Sequence, residues 1–326
     1  MNANAQLERE DLTRMLDAEV RERGSAFGCG LVWFRLESRL LLGRMRVWIK
    51  RQSLRTKKFL KVFYRFGSYA SLAVFTAMLF VLCYSSFRAL YLLGVRRAKY
   101  TEVFGASAQV FSPVVPGVNF PLADLLYLWA ALAVGLIVHE AGHAMALAVH
   151  GMQAEACGFL LVGPFVPAAF VRFDKEVLRP LNVSARLDVF FGGIWHNVVF
   201  SSVCFVLLYM NGMLLNTFTR SIVANNSAVN STALSPNEEF KRMGFINHGL
   251  VLWARQLQYF ILVNVSLAGM NSLPIYHFDG QHVVAILMSI WSQNGANTRH
   301  RIHLVLRIGT GLLIINLLFS YLTLLF

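Results

Sequence analysis

The sequence predicts an all-α polytopic membrane protein of about five to six transmembrane helices, with a short re-entrant hairpin between the second and third. Three observations predict it. Of 326 residues, 56% are hydrophobic and 14% charged. The mean hydropathy is +0.53. The apolar residues are gathered into runs long enough to cross the roughly 30 Å hydrocarbon core of a bilayer, which excludes an ordinary soluble domain.

Residues 1–67 read as a basic amphipathic N-terminal segment, followed by a membrane-embedded part from 68 to 326. The net charge of +13 is concentrated here: residues 1–65 hold 15 Lys/Arg against 7 Asp/Glu, and Arg39 to Arg65 contains ten basic residues and no acid. Trp33, Phe34, Leu40, Trp48, Phe59, Phe63 and Tyr64 are interleaved with those charges. This pattern fits an amphipathic helix on an anionic membrane face better than a nucleic-acid site, so the lipid bilayer is the expected partner and nucleic acid is not. No compact hydrophobic core followed by a small-residue cleavage site precedes the first span, which is therefore expected to act as the signal. Cys29, Cys83, Cys157 and Cys204 have no paired spacing and indicate neither a disulfide framework nor a cysteine metal site.

Spans are expected near residues 68–93, 121–148, 189–214, 248–271 and 303–326, with a shorter apolar helix after Gly280. Cys157 to Val171 is apolar but broken by Gly158, Gly163, Pro164 and Pro167, too short to cross. It reads as a re-entrant hairpin, tolerable where protein or a cavity covers it. The stretch 215–247 is polar and reads as a loop with glycosylation acceptors at Asn225 and Asn230. With a cytosolic basic N-terminus, Arg172, Lys175, Arg179 and Arg186 fall in the cytosol and Asn225 and Asn230 in the lumen. Arg96, Arg97 and Lys99 run against that orientation.

Within the second span stands His139-Glu140-Ala-Gly-His143. Histidines four apart share one helix face and can hold one zinc ion, while the glutamate between them can polarise a water. Three ionisable groups within five residues of a membrane helix are costly unless an ion compensates them. A third ligand is expected from Asp279, in Asn271-Ser-Leu-Pro274-Ile-Tyr-His-Phe-Asp279-Gly280. There Pro274 breaks the helix and Gly280 permits a tight turn; the competing reading makes Asp279 the cap of the helix that follows. The third span opens Gly192-Gly193-Ile-Trp195-His196-Asn197. Asn197 could donate to a substrate carbonyl or an oxyanion. His196 reads as structural, because a fourth protein ligand would close the site. His150, His277 and His282 read as incidental, although the last two lie close to Asp279 in sequence.

HEAGH in one span, GIWHN in the next and NSLPIYHFDG in a later one, with Val114-Val115-Pro116-Gly117-Val118-Asn119 before the first, resemble the eukaryotic site-2 proteases. These are intramembrane zinc metalloproteases of peptidase family M50 that cut membrane-anchored transcription factors. The resemblance runs from about 114 to 280 and implies a catalytic core at about 114–290. It implies that His139, His143 and Asp279 bind zinc, that Glu140 is the general base, and that Asn271 and Asn197 position the substrate strand, with Pro274 in the same group. It further implies cleavage in or near the transmembrane helix of membrane-anchored regulators, release of a cytosolic fragment, and residence in the endoplasmic reticulum or Golgi with the site nearer the cytosolic face. Two features depart from the family: an additional N-terminal hydrophobic segment is missing, and the stretch after the third span is too short for a PDZ-type domain. A zinc transporter would show polar residues spread through its spans, whereas here they converge at one depth. A non-catalytic membrane-protein binder is opposed by the intact Glu140. A protease for prenylated C-termini would need a glutamate as third ligand, and none follows in a comparable apolar setting.

Overall fold

Long apolar runs can satisfy their backbone polar groups in hydrocarbon only as helices, and five such helices form: Leu54–Tyr91, Leu122–Val149, Gly192–Thr217, His248–Ser272 and Asn297–Leu322 are each long and apolar enough to cross a membrane. The computed structural model describes residues 32–38, 40–94, 111–163, 166–173, 178, 180–228, 236–291 and 295–325. In chain order the elements are β1 (Val32–Ser38), α1 (Leu40–Arg51), α2 (Leu54–Gly94), α3 (Leu125–Val149), β2 (Ala156–Val162), β3 (Val166–Arg172), α4 (Val183–Phe190), α5 (Gly192–Ala228), α6 (Pro236–Ser272), α7 (Gly280–Trp291) and α8 (Gly295–Leu325). The 3₁₀ turn Leu122–Asp124 leads into α3.

The chain is a multi-pass membrane protein by these helices, and its surface agrees. Leu126, Phe80, Phe205, Leu262 and Leu318 are all more than half exposed on the long helices, an outward apolar surface that water would not tolerate at this extent. Where lipid offers no hydrophobic drive between spans, packing and polar contacts associate them. Asn316 of α8 donates to Ser86 Oγ of α2 at 2.6 Å, and Asn211 of α5 donates to the Leu250 carbonyl of α6 at 3.0 Å. α5 packs along α6, and α3 lies against both.

Several expectations are refined. The first span starts far upstream of 68, because α2 runs unbroken from Leu54 through its basic first turns. The stretch 215–247 is largely helical, since α5 continues to Ala228 and α6 begins at Pro236. Apolarity marks where a helix enters hydrocarbon, not where its hydrogen bonding stops. Asn230, Arg96, Arg97, Lys99, Lys175, Arg179 and Cys29 lie outside the described residues.

The expected hairpin is an antiparallel β-hairpin, β2 paired with β3 from Ala156↔Arg172 to Val162↔Val166. Its other neighbour comes from the N-terminal segment: β1 pairs antiparallel with β2, giving the order β1-β2-β3. The basic segment is therefore only partly an interfacial helix. Trp48 and Phe59 are exposed, but Tyr64 is 1% exposed, and Phe63 packs against Trp195 with ring centroids 5.5 Å apart. Leu42 and Ile49 of α1 join Leu147, Val189, Phe191, Ile194 and Val283 in the largest core cluster, at the end of the bundle where α3 closes.

Candidate metal centre

His139 and His143 lie one turn apart on α3, both buried. Asp279 stands at the end of an irregular connection: α6 stops at Ser272, Pro274 is buried with its carbonyl against Gly309 of α8, and α7 begins at Gly280. The backbone carbonyl of Asp279 accepts from the His282 and Val283 N–H groups. The peptide therefore starts α7, and the carboxylate is left to face α3. Its Oδ2 lies 2.9 Å from His139 Nε2 and 3.2 Å from His143 Nε2, and the two imidazole Nε2 atoms are 3.1 Å apart. The chain thus brings together the three residues whose spacing suggested a ligand set.

Hydrogen bonding behind the histidines decides what those atoms can do. His143 Nδ1 is 2.8 Å from the Val189 carbonyl, which only accepts, so Nδ1 carries the proton and Nε2 of the neutral ring is a lone pair. His139 Nδ1 lies 3.2 Å from Asn197 Nδ2, and with that amide turned over its oxygen accepts from Nδ1–H in the same way. With both rings neutral and the Asn197 amide so turned, two imidazole lone pairs and a carboxylate oxygen converge with no proton between them. Acceptors forced together in an apolar setting repel one another, and a shared cation removes the conflict. The separations are close to the roughly 3.3 Å expected between ligand atoms each about 2.0 Å from one tetrahedral zinc. The residues fit zinc.

Glycines make the room. A Cβ on Gly142 would collide with the Gly192 carbonyl, so α3 and α5 cross backbone to backbone next to His143. A Cβ on Gly193 would lie 2.5 Å from His143 Nε2 and 2.6 Å from His139 Nε2. Glu140, half-buried on the same turn, receives a hydrogen bond from the Val171 N–H of β3. Among the described residues no strand pairs with the outer edge of β3, and α3 packs against that strand.

Asn197 is fully buried, with its Oδ1 unpartnered. Asn271 is half-buried at the end of α6. His196 points away from the three ligand atoms, its Nε2 2.8 Å from the Tyr64 hydroxyl and its ring stacked on that phenol. His277 is exposed, and His282 stacks on Phe190 at 4.5 Å. His150, which the sequence gave no reason to single out, reaches Asp188 Oδ2 at 3.1 Å. Asp188, the one acid in the run from Val183 to Phe191, is a functional residue whose sequence signal is its place just before Phe190-Phe191.

With this geometry in hand, comparison with known proteins places the chain. The model of peptidase family M50 matches residues 127–316, more than half of its length, and the chain belongs to that family. A relative in Arabidopsis thaliana, described as a membrane-bound transcription factor site-2 protease homolog, is 33% identical over 103 residues. That alignment covers 32% of this chain and spans a fifth of the relative's own length. No solved structure matches.

Proposed function

We propose that this chain is an intramembrane zinc metalloprotease, which hydrolyses a peptide bond within or near the transmembrane helix of a membrane-anchored regulatory protein and releases a cytosolic fragment. One observation carries the reading: His139 Nε2 and His143 Nε2, on a helix apolar enough to cross a membrane, converge within 3.2 Å of each other and of Asp279 Oδ2 from the connection after α6, with Glu140 on the same turn as the histidines. His139, His143 and Asp279 hold the ion. When bound, zinc supplies a Lewis acid that makes water nucleophilic near neutral pH and draws electrons from a carbonyl.

The remaining work falls to the protein. Glu140 takes a proton from the attacking water and returns it to the leaving amide nitrogen, so one carboxylate serves as base and then acid. Asn197 holds His139 in its ligand orientation. With the amide oxygen turned to His139, the freed NH2 group of Asn197 is the donor candidate for the carbonyl oxygen as charge builds there. Asn271 and Pro274 border the connection that carries Asp279 and help hold the substrate strand beside it, Pro274 by fixing the bend. A substrate helix hides its carbonyls in hydrogen bonds and has to unwind. The edge of β3 that no described strand pairs with, beside Glu140, offers main-chain groups to the strand it becomes.

By the name of its Arabidopsis relative, membrane-bound transcription factors are the substrate class to test first; by the family resemblance, the endoplasmic reticulum or Golgi is the compartment. The basic face of α1 and the first turns of α2 sit against anionic lipid on the cytosolic side, the side nearer the site. Functionally, residues 1–67 supply β1, α1 and the start of α2 to a membrane-embedded domain at 68–326 whose catalytic core is about 114–290.

The test is zinc content and cleavage of a model transmembrane substrate by purified wild type, Glu140→Gln and Asp279→Ala, with a chelator control. Glu140→Gln is expected to keep zinc and lose cleavage, and Asp279→Ala to lose both. Unchanged cleavage by Glu140→Gln would sink the protease reading.

A further inference from the structure

Behind the metal centre lies a second buried polar cluster. Asp188, on α4, is 1% exposed. Its Oδ1 accepts from Ser68 Oγ at 2.7 Å and Arg65 Nε at 3.1 Å, and its Oδ2 from Arg65 Nη2 at 3.0 Å and His150 Nε2 at 3.1 Å. Four charge-assisted or short bonds thus fill the carboxylate, and they come from two other elements: Arg65 and Ser68 from α2, His150 from the C-terminal end of α3. A carboxylate buried for packing alone does not need three helical partners. The cluster fixes α4 in rotation and height against α2 and α3.

What α4 carries one residue later is the Val189 carbonyl, which accepts from His143 Nδ1 at 2.8 Å. That bond decides which nitrogen of His143 is a lone pair. A carbonyl can be swung by a modest turn of its short helix, and α4 is only 8 residues long. Its own end capping is local: Asn182 Oδ1 accepts from the Ala185 N–H at the far end from Val189. The anchor close to Val189 is Asp188.

We propose that Asp188 is a positioning residue for the metal centre: through Arg65, Ser68 and His150 it holds the Val189 carbonyl on His143 Nδ1, and so presents His143 Nε2 to the ion. This rests on the reading of His139, His143 and Asp279 as a metal site. Groups that orient a metal-binding histidine from behind typically contribute ten- to a hundredfold in metal affinity, and Asp188 acts one bond further out. A purely structural carboxylate would lower stability and leave affinity in the folded protein unchanged.

Cobalt(II), titrated alone into the full-length protein in detergent, reads both affinity and ligand geometry from its visible absorption. Asp188→Asn is expected to bind cobalt about tenfold more weakly than wild type, with an altered visible band. Asp124→Asn is the matched control. Asp124 is also a buried carboxylate, bonded by the Tyr259 hydroxyl at 2.7 Å, but it sits at the opposite end of α3. It is expected to keep wild-type affinity and spectrum. Should Asp188→Asn fail to fold, Arg65→Lys decides, because it keeps the charge and loses the two-point hold. Affinity at least threefold weaker supports the proposal, and wild-type affinity overturns it. Wild-type protein that takes up no cobalt overturns the metal-site reading and this inference with it. Cobalt bound equally by wild type and folded Asp188→Asn overturns the positioning role alone.

Discussion

Gly193 of α5 faces His143 of α3 so closely that a methyl on its Cα would stand 2.5 Å from the imidazole Nε2, the nitrogen that faces Asp279. Two helices therefore meet over the candidate ligand atoms with hydrogen as the only substituent that fits. Gly193→Ala would either fill the space beside the histidines or push them apart. The expected result is metal affinity at least tenfold weaker with helix content unchanged, measured by metal titration beside circular dichroism. Wild-type affinity would mean that the ion sits on the other side of the three ligand atoms.

Asn197 separates two roles. As the partner of His139 Nδ1 at 3.2 Å it orients a ligand, and as a donor to substrate it acts only on turnover. Asn197→Ala is expected to weaken zinc binding by about ten- to a hundredfold, since a metal-binding histidine that loses its supporting hydrogen bond loses both orientation and basicity. Full zinc occupancy with a reduced kcat would assign Asn197 to substrate instead.

What the sequence disclosed and what it hid divide by distance along the chain. His139 and His143 were legible because four residues of helix put them on one face. Asp279 was legible because Pro274 and Gly280 bracket a break in an apolar stretch, although capping the helix that follows was a competing role for it. The spans were legible as apolar runs, but their ends were not: α2 begins fourteen residues before the apolarity does, and α5 and α6 continue through polar sequence. β1 alternates briefly at Phe34-Arg35-Leu36-Glu37, yet its hydrogen bonds go to a strand over a hundred residues later, and no local pattern names that partner. The Asp188–Arg65 pair, 123 residues apart, is hidden for the same reason. Gly142 and Gly192 show their purpose only when the two helices cross.

Asp188 also gives a pH dependence with a definite sign. Burial pushes its carboxyl up, but hydrogen bonds from His150, Arg65 and Ser68 outweigh burial and hold it below the ordinary value of 3.8. A carboxylate whose folded value is depressed stabilises the fold fully above the unfolded value and loses that contribution as pH falls through the folded one. The Asp188 carboxylate's contribution to thermal stability is therefore expected to be complete above the ordinary carboxylate range and to decline below about pH 4. Asp188→Asn should lower the plateau and remove that part of the acid limb. An acid limb identical in both proteins would assign the loss to other carboxylates.

His277, two residues before Asp279, has φ +71° and is the one non-glycine residue with positive φ among those described. The left-handed region costs an L-residue about 1–2 kcal/mol and is worst for β-branched side chains, which crowd their own backbone there. The turn from Pro274 to Gly280 nevertheless needs that conformation to bring the carboxylate around to α3. His277→Val is expected to destabilise the protein by about 1–2 kcal/mol and to weaken metal binding, because relaxing φ swings Asp279 off the histidines. His277→Gly adopts the same conformation without the steric cost and gives up unfolded-state entropy of similar size, so stability should change by less than about 1 kcal/mol and metal affinity not at all. The exposed imidazole is lost in both substitutions. A His277→Gly protein as poor in metal as His277→Val would show that the side chain, not the backbone, matters at this position.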